Sequence, residues 1–115
     1  MAGHKYDIVI EQGACLDIPL TLTDNDDNPY DLRTDAVYLT GVVYRDYDQF
    51  VQATFSYSET DAENGEAEMS LDSADTQAME PAYSSYDIFL IKSDGCVERL
   101  LYGTATINGT ATPLP

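Results

Sequence analysis

Residues 83–107 read YSSYDIFLIKSDGCVERLLYGTATI, two extended runs on either side of Ser93-Asp94-Gly95. Tyr86, Ile88 and Leu90 alternate with polar or outward positions, and Val97, Leu101, Ala105 and Ile107 continue the pattern after the turn. A period of two places such residues on one face of a pleated strand. Asp-Gly between alternating runs signals a hairpin, because glycine takes the positive φ that a type I′ turn demands without a Cβ clash. The segment therefore predicts two antiparallel strands joined by a tight turn.

The rest of the sequence follows the same rule. Residues 6–10 (YDIVI) form a short extended run, and Gln12-Gly13 breaks it where the chain can cross from one sheet to another. Leu16, Ile18, Leu20 and Leu22 alternate with Asp17, Pro19, Thr21 and Thr23, a half-buried strand whose Pro19 predicts an edge position. The polar residues 24–29 form a surface turn, after which Leu32 is expected to anchor the chain. Residues 36–45 (AVYLTGVVYR) place Val37, Leu39 and Val43 on one side and Tyr38, Val42 and Tyr44 on the other. Apolar residues on both faces predict a central strand, or one that meets a partner.

Val51, Ala53, Phe55 and Tyr57 alternate in the next run, which pairs with 36–45 as a hairpin. A turn at 61–65 leads to Glu66–Leu71, where Ala67, Met69 and Leu71 alternate with polar residues. Residues 73–79 are one helical turn, capped by Asp72 or Ser73 and stopped by Glu80-Pro81. Short strands at this spacing predict an all-β fold, an immunoglobulin-like antiparallel β-sandwich of seven or eight strands with one short helical turn. The helical turn resembles the crossover before strand F of such sandwiches, with Tyr83 or Tyr86 as a tyrosine corner. Residues 1–107 are expected to form a single β-sandwich domain and 108–115 a C-terminal tail.

Charge narrows the functional classes. With 21 acidic and five basic residues the formal net charge is −16, spread along most of the chain. Such a surface repels nucleic-acid phosphates and anionic lipid, so the expectation is no nucleic acid and no membrane. It fits a basic or mixed protein partner. Cys15 and Cys96 are expected to be free thiols, a disulfide between them being the alternative. No cofactor is expected, and no enzyme activity: His4 is the only histidine, so neither a Ser/His/Asp nor a Cys/His set can assemble.

Two constellations are candidate sites. Asp24, Asp26, Asn28 and Asp35 occupy the first, third, fifth and twelfth positions of a calcium-loop spacing, but Pro29 replaces the required glycine and Asp35 the bidentate Glu. A solvated turn is the competing reading. Nine tyrosines and no tryptophan suggest either cross-strand aromatic pairing or a recognition stripe. Tyr38, Val42 and Tyr44 are the partner-contact candidates, since the opposite face of their strand already supplies the core.

Gln12-Gly13, the block at 27–32 (DNPYDL), NGEAEMSL at 64–71, Tyr86-Asp87, Asp94-Gly95 and the stretch Leu100-Leu101-Tyr102-Gly103 together resemble the small all-β virion domains of tailed bacteriophages. These occur as the N-terminal domain of baseplate upper proteins and in other tail, neck and fibre-attachment proteins. The resemblance implies a bacteriophage virion structural protein, synthesised in the host cytoplasm and present in symmetric multiple copies with other virion structural proteins as partners. Members that serve as N-terminal domains precede a fibre or receptor-binding part, whereas the expectation here is a domain that works alone. The expectation therefore moves from a baseplate component to a small accessory or adaptor module on a larger tail, neck or baseplate assembly. The alternatives are a capsid decoration protein and a carbohydrate-binding module for host-surface adsorption. The segments 6–10 and 104–112 are the expected strands for exchange with neighbours.

Overall fold

In the computed structural model, which describes residues 4–24 and 26–109, two β-sheets face each other across one core. In chain order the strands are β1 (His4–Lys5), β2 (Ile8–Glu11), β3 (Leu16–Thr21), β4 (Tyr38–Arg45), β5 (Val51–Thr54), β6 (Ser56–Asp61), β7 (Glu66–Leu71), β8 (Ser84–Ile91) and β9 (Val97–Asn108), with α1 (Ser73–Gln77) between β7 and β8. The large sheet has β1 and β2 along one side of β9, then β8, β4 and β5. The small sheet is β3-β7-β6. This is an immunoglobulin-like sandwich, with Pro19 on an edge strand as the sequence predicts.

One pairing departs from the antiparallel expectation: β1 and β2 run parallel to β9. His4 lies opposite Leu101 and Ile8 opposite Ala105, so the two short strands keep one register and form a single interrupted strand. At the interruption the Thr104 N–H bonds the Asp7 carboxylate at 3.0 Å, and the Tyr6 N–H bonds the Tyr102 carbonyl at 2.8 Å. That carboxylate, held by the backbone N–H, titrates below its usual range. The crossing is close. A Cβ on Gly103 would stand 2.6 Å from the Tyr6 carbonyl oxygen.

Gln12-Gly13 is the crossing between sheets, with Gly13 at φ 86°. The buried Thr76 hydroxyl accepts the Gly13 N–H at 3.0 Å and donates to the Ala14 carbonyl at 2.9 Å. Gln12 Nε2 donates to the Met79 carbonyl at 2.9 Å. The crossing and α1 are thereby tied together. Asp72 caps α1 through a reciprocal box with Asp75, because each carboxylate accepts the other's backbone N–H.

The core is built from the inward positions that alternation predicts. Ile10, Val43, Tyr86 and Ile88 come from the large sheet and Met69 and Leu71 from the small one, all essentially inaccessible. Leu22, Leu32 and Met79 close the ends from connecting segments. Each such side chain contributes about 1.5–3 kcal/mol on burial.

Four local expectations are corrected. Residues 50–57 are not one strand: the chain leaves the large sheet after Thr54 and enters the small one at Ser56, with Phe55 buried at the switch. The 93–95 turn is not type I′. Gly95 takes φ 89° while Asp94 keeps a negative φ, and the Gly95 N–H reaches the Lys92 carbonyl at 3.0 Å, giving a three-residue loop with glycine in the left-handed position. Val97 is not in the core: a bulge at Leu100 shifts the register, turning Val97 to the outer face where it is 55% exposed. Neither Tyr83 nor Tyr86 makes the tyrosine corner. Tyr83 is 92% exposed, and the buried Tyr86 hydroxyl donates to the carbonyl of Tyr6, eighty residues away, instead of to its own preceding loop.

Cys15 and Cys96 are exposed free thiols. Of the two strand-exchange segments, β2 is an edge element, but Ala105 is internal, paired on both sides, and Thr104 pairs with Ser85 on one side and donates its N–H to Asp7 on the other. Strand β9 extends through Asn108, one residue into the expected tail, and residues 110–112 lie outside the described chain.

Candidate functional site

Strand pairing places the outward residues of the large sheet in rows. Tyr38, Ile91 and Val97 stand side by side across β4, β8 and β9. The next row is Thr40, Phe89 and Arg99, and the next Thr54, Val42, Asp87, Tyr102 and Lys5. Val51, Tyr44, Ser85 and Thr104 follow. The candidates Tyr38, Val42 and Tyr44 thus share one face with Phe89, Ile91, Val97 and Tyr102, and none of these is buried in the core. Tyr38 is 50% exposed and Val51 46%.

The small sheet supplies the contrast. Its outward residues are Asp17, Pro19 and Thr21 on β3, Glu66, Glu68 and Ser70 on β7, and Ser56 and Ser58 on β6. Pro19 aside, this is a polar, acidic, solvent-facing surface. Both sheets meet the same core, so the core does not dictate what the outward positions carry. An apolar and aromatic outer face on one sheet only is the pattern of an interaction surface.

Charge separates the faces further. The four rows of the large sheet contain Lys5, Arg99 and the single acid Asp87, in a chain with net charge −16. The Arg99 guanidinium lies over the Tyr102 ring at 4.3 Å. Burial among these neighbours pushes the Asp87 carboxyl above its usual range, partly offset by Arg99. The remaining cations are engaged elsewhere. Arg33 pairs with Asp31 at 2.8 Å, Arg45 with Asp48 and Lys92 with Glu98 at 2.7 Å each. Arg45 is also held between the Phe50 and Tyr47 rings, at 4.5 and 5.1 Å, which fixes the β4–β5 turn at the end of the face.

The calcium-loop candidates do not converge. Asp24 Oδ1 accepts the N–H groups of Asp26 and Asn28 at 2.9 and 3.0 Å, and Asp35 Oδ2 accepts that of Asp31 at 2.9 Å. These carboxylates close turns. Among the described residues no group of three or more His, Cys, Asp or Glu side chains is arranged to hold a metal ion. The exposed tyrosines are dispersed: Tyr38 lies near the β8–β9 turn, whereas Tyr47 and Tyr83 stand at the opposite end of the sheet.

Phe89, Ile91, Arg99 and Tyr102 are members of the face that β4 alone does not reveal. The signal for two of them is in β8: if Tyr86, Ile88 and Leu90 point inward, Phe89 and Ile91 point outward. No protein-family model matches the chain, and no curated protein matches it in sequence.

Proposed function

We propose that this protein is a bacteriophage virion structural protein, a small accessory or adaptor module that docks onto a larger tail, neck or baseplate assembly through the outer face of its large sheet. The observation that carries the docking reading is the difference between the two outer faces: Tyr38, Phe89, Ile91 and Val97 on one, acids and small hydroxyls on the other. The turn and core pattern of residues 12–107 supports the virion context. A net charge of −16 keeps free copies apart, and the one face nearly free of acids is where a protein surface can approach.

Purified protein mixed with tail-less capsids and with isolated tails of the phage that encodes it should sediment with one of them. Binding to tails supports the adaptor reading, binding to capsids the decoration reading, and binding to neither refutes both. A Tyr38→Glu, Val42→Glu double variant should fold and lose binding, because a charge in the centre of a packed interface costs about 2 kcal/mol or more. Ser58→Glu on the small sheet should bind like wild type.

A further inference from the structure

We propose that the groove between β9 and the segment entering β8 takes an extended peptide segment of a partner protein as an added strand, with a basic side chain of that segment against Asp46. This site adjoins the end of the outer face assigned above and shares Thr104 with it. The groove encloses about 760 Å³, within the range of sites that hold small ligands and peptide segments.

Its floor is an open strand side. The carbonyls of Tyr102 and Asn108 accept the N–H groups of Tyr6 and Gln12, so even-numbered residues of β9 turn their backbone groups toward β1 and β2. Alternation turns Ala105 and Ile107 toward β8. Ala105 lies opposite Ser84, the first residue of β8. Ile107 therefore lies beyond the end of that strand, across the groove from Pro81 and Ala82, which line its other wall. Among the described residues its N–H and C=O have no backbone partner on that side. A free donor and acceptor on a strand edge are what an added strand pairs with.

The walls point to the occupant. Tyr83 is 92% exposed and Tyr47 68%, two rings that the side chains of an added strand would cover. Among the described residues Asp46 is the only charged one lining the groove, and one of its oxygens accepts the Ser85 hydroxyl at 2.7 Å. Its second oxygen has no hydrogen bond among the described residues. A lysine or arginine of the segment complements that carboxylate and the acidic chain as a whole.

The test uses the full chain, labelled with nitrogen-15, and acetylated, amidated pentapeptides in which Val and Thr alternate and Lys stands at one end or the other. Amide shifts should saturate at millimolar peptide and concentrate at Ala105–Gly109 and Asp46–Tyr47. Replacing Lys by Glu, or methylating alternate peptide nitrogens, should each weaken binding about ten-fold, the effect of 1.4 kcal/mol. Asp46→Asn should abolish the preference for Lys over Glu, and Tyr83→Ala should weaken both peptides, without altering the rest of the spectrum. Four results would overturn the proposal: no saturable shifts, shifts located elsewhere, equal binding of the methylated peptide, or cellohexaose perturbing these residues where the peptides do not.

Discussion

Tyr86→Phe removes one oxygen from the centre of the sandwich and tests how the N-terminal strand is held. The Tyr86 hydroxyl donates to the carbonyl of Tyr6, at the break between β1 and β2, and the side chain is 1% exposed. Phenylalanine keeps the ring and its edge-to-face contact with Phe55, whose centroid lies 6.1 Å away, but leaves the Tyr6 carbonyl without its donor. Such a loss costs about 1–3 kcal/mol. At about 2.1 cal/mol/K per residue of unfolding entropy, that lowers the Tm by about 4–12 °C. The same hydroxyl has a pH signature. Burial, with Tyr6 and Asp7 adding to it, pushes the Tyr86 phenol up to about 12, against about 10 in the unfolded chain. Above pH 10 the unfolded chain releases this proton before the folded one does, so stability falls as pH rises from 10 to 12, by at most about 2.7 kcal/mol from this group. Tyr57, pushed up to about 12 chiefly by burial, adds a slope of the same sign. Urea unfolding of wild type and variant, followed by circular dichroism from pH 7 to 12, should show a less stable variant with a shallower alkaline decline. A Tm drop below about 2 °C together with an unchanged alkaline slope would refute the bond's role.

Other substitutions separate backbone conformation from space. Gly65→Ala should cost more than about 2 kcal/mol, because φ is 71° and the new Cβ would meet the Leu22 carbonyl oxygen at 2.6 Å and that of Tyr30 at 2.9 Å. Gly95→Ala, at φ 89° with no neighbouring atom within 4 Å, should cost only about 1 kcal/mol, and chemical denaturation of the two variants checks the ranking. Thr76→Val leaves the Gly13 N–H and Ala14 carbonyl unpaired beside α1, so a loss of about 2–4 kcal/mol is expected, with faster amide exchange at Gly13. Met69→Ala, fully buried in the middle strand of the small sheet, should cost about 2–5 kcal/mol in the same assay.

Strand positions were legible because the two sheets share one core, which imposes a period of two on every strand that faces it. Leu39 and Val43, Met69 and Leu71, and Ile88 and Leu90 are where alternation puts them. Features that depend on one extra residue or on a partner far along the chain were not legible. The bulge at Leu100 reverses the parity of the start of β9, so a pattern continued through it assigns Val97 to the wrong face. The switch at Phe55 leaves no break in alternation, because the residue stays inward while its strand changes sheets. The parallel pairing of β1 and β2 joins residues separated by nearly the whole chain, and only the Asp7 carboxylate and the small Gly103 mark the place. The contact residues on β4 could be named from sequence, whereas Arg99 and Tyr102 join them only through a register that the bulge sets.

The two outer faces also bear on whether strand propensity alone accounts for the large sheet. Aromatic and β-branched residues favour strands wherever they stand, so Tyr38, Val42, Phe89, Ile91 and Val97 could in principle serve the sheet alone. The small sheet is the internal control. It keeps its strands with Asp17, Glu66, Glu68, Ser56 and Ser58 outward, over the same core and at the same pleat. Outward positions of the large sheet are equally independent of the core, and replacing Val97 or Ile91 by Thr would disturb no buried contact. Apolar surface left in water costs about 25 cal/mol per Å², and it invites aggregation. A chain carrying 21 acids has the means to charge that face and instead places one acid within its strand rows, Asp87, between Val42 and Tyr102, with Asp46 reaching Ser85 at their end. Propensity explains why these residues are tolerated in strands. It does not explain why they are gathered on one face and kept nearly clear of the charge that covers the other, and this difference is the support for the docking face proposed above.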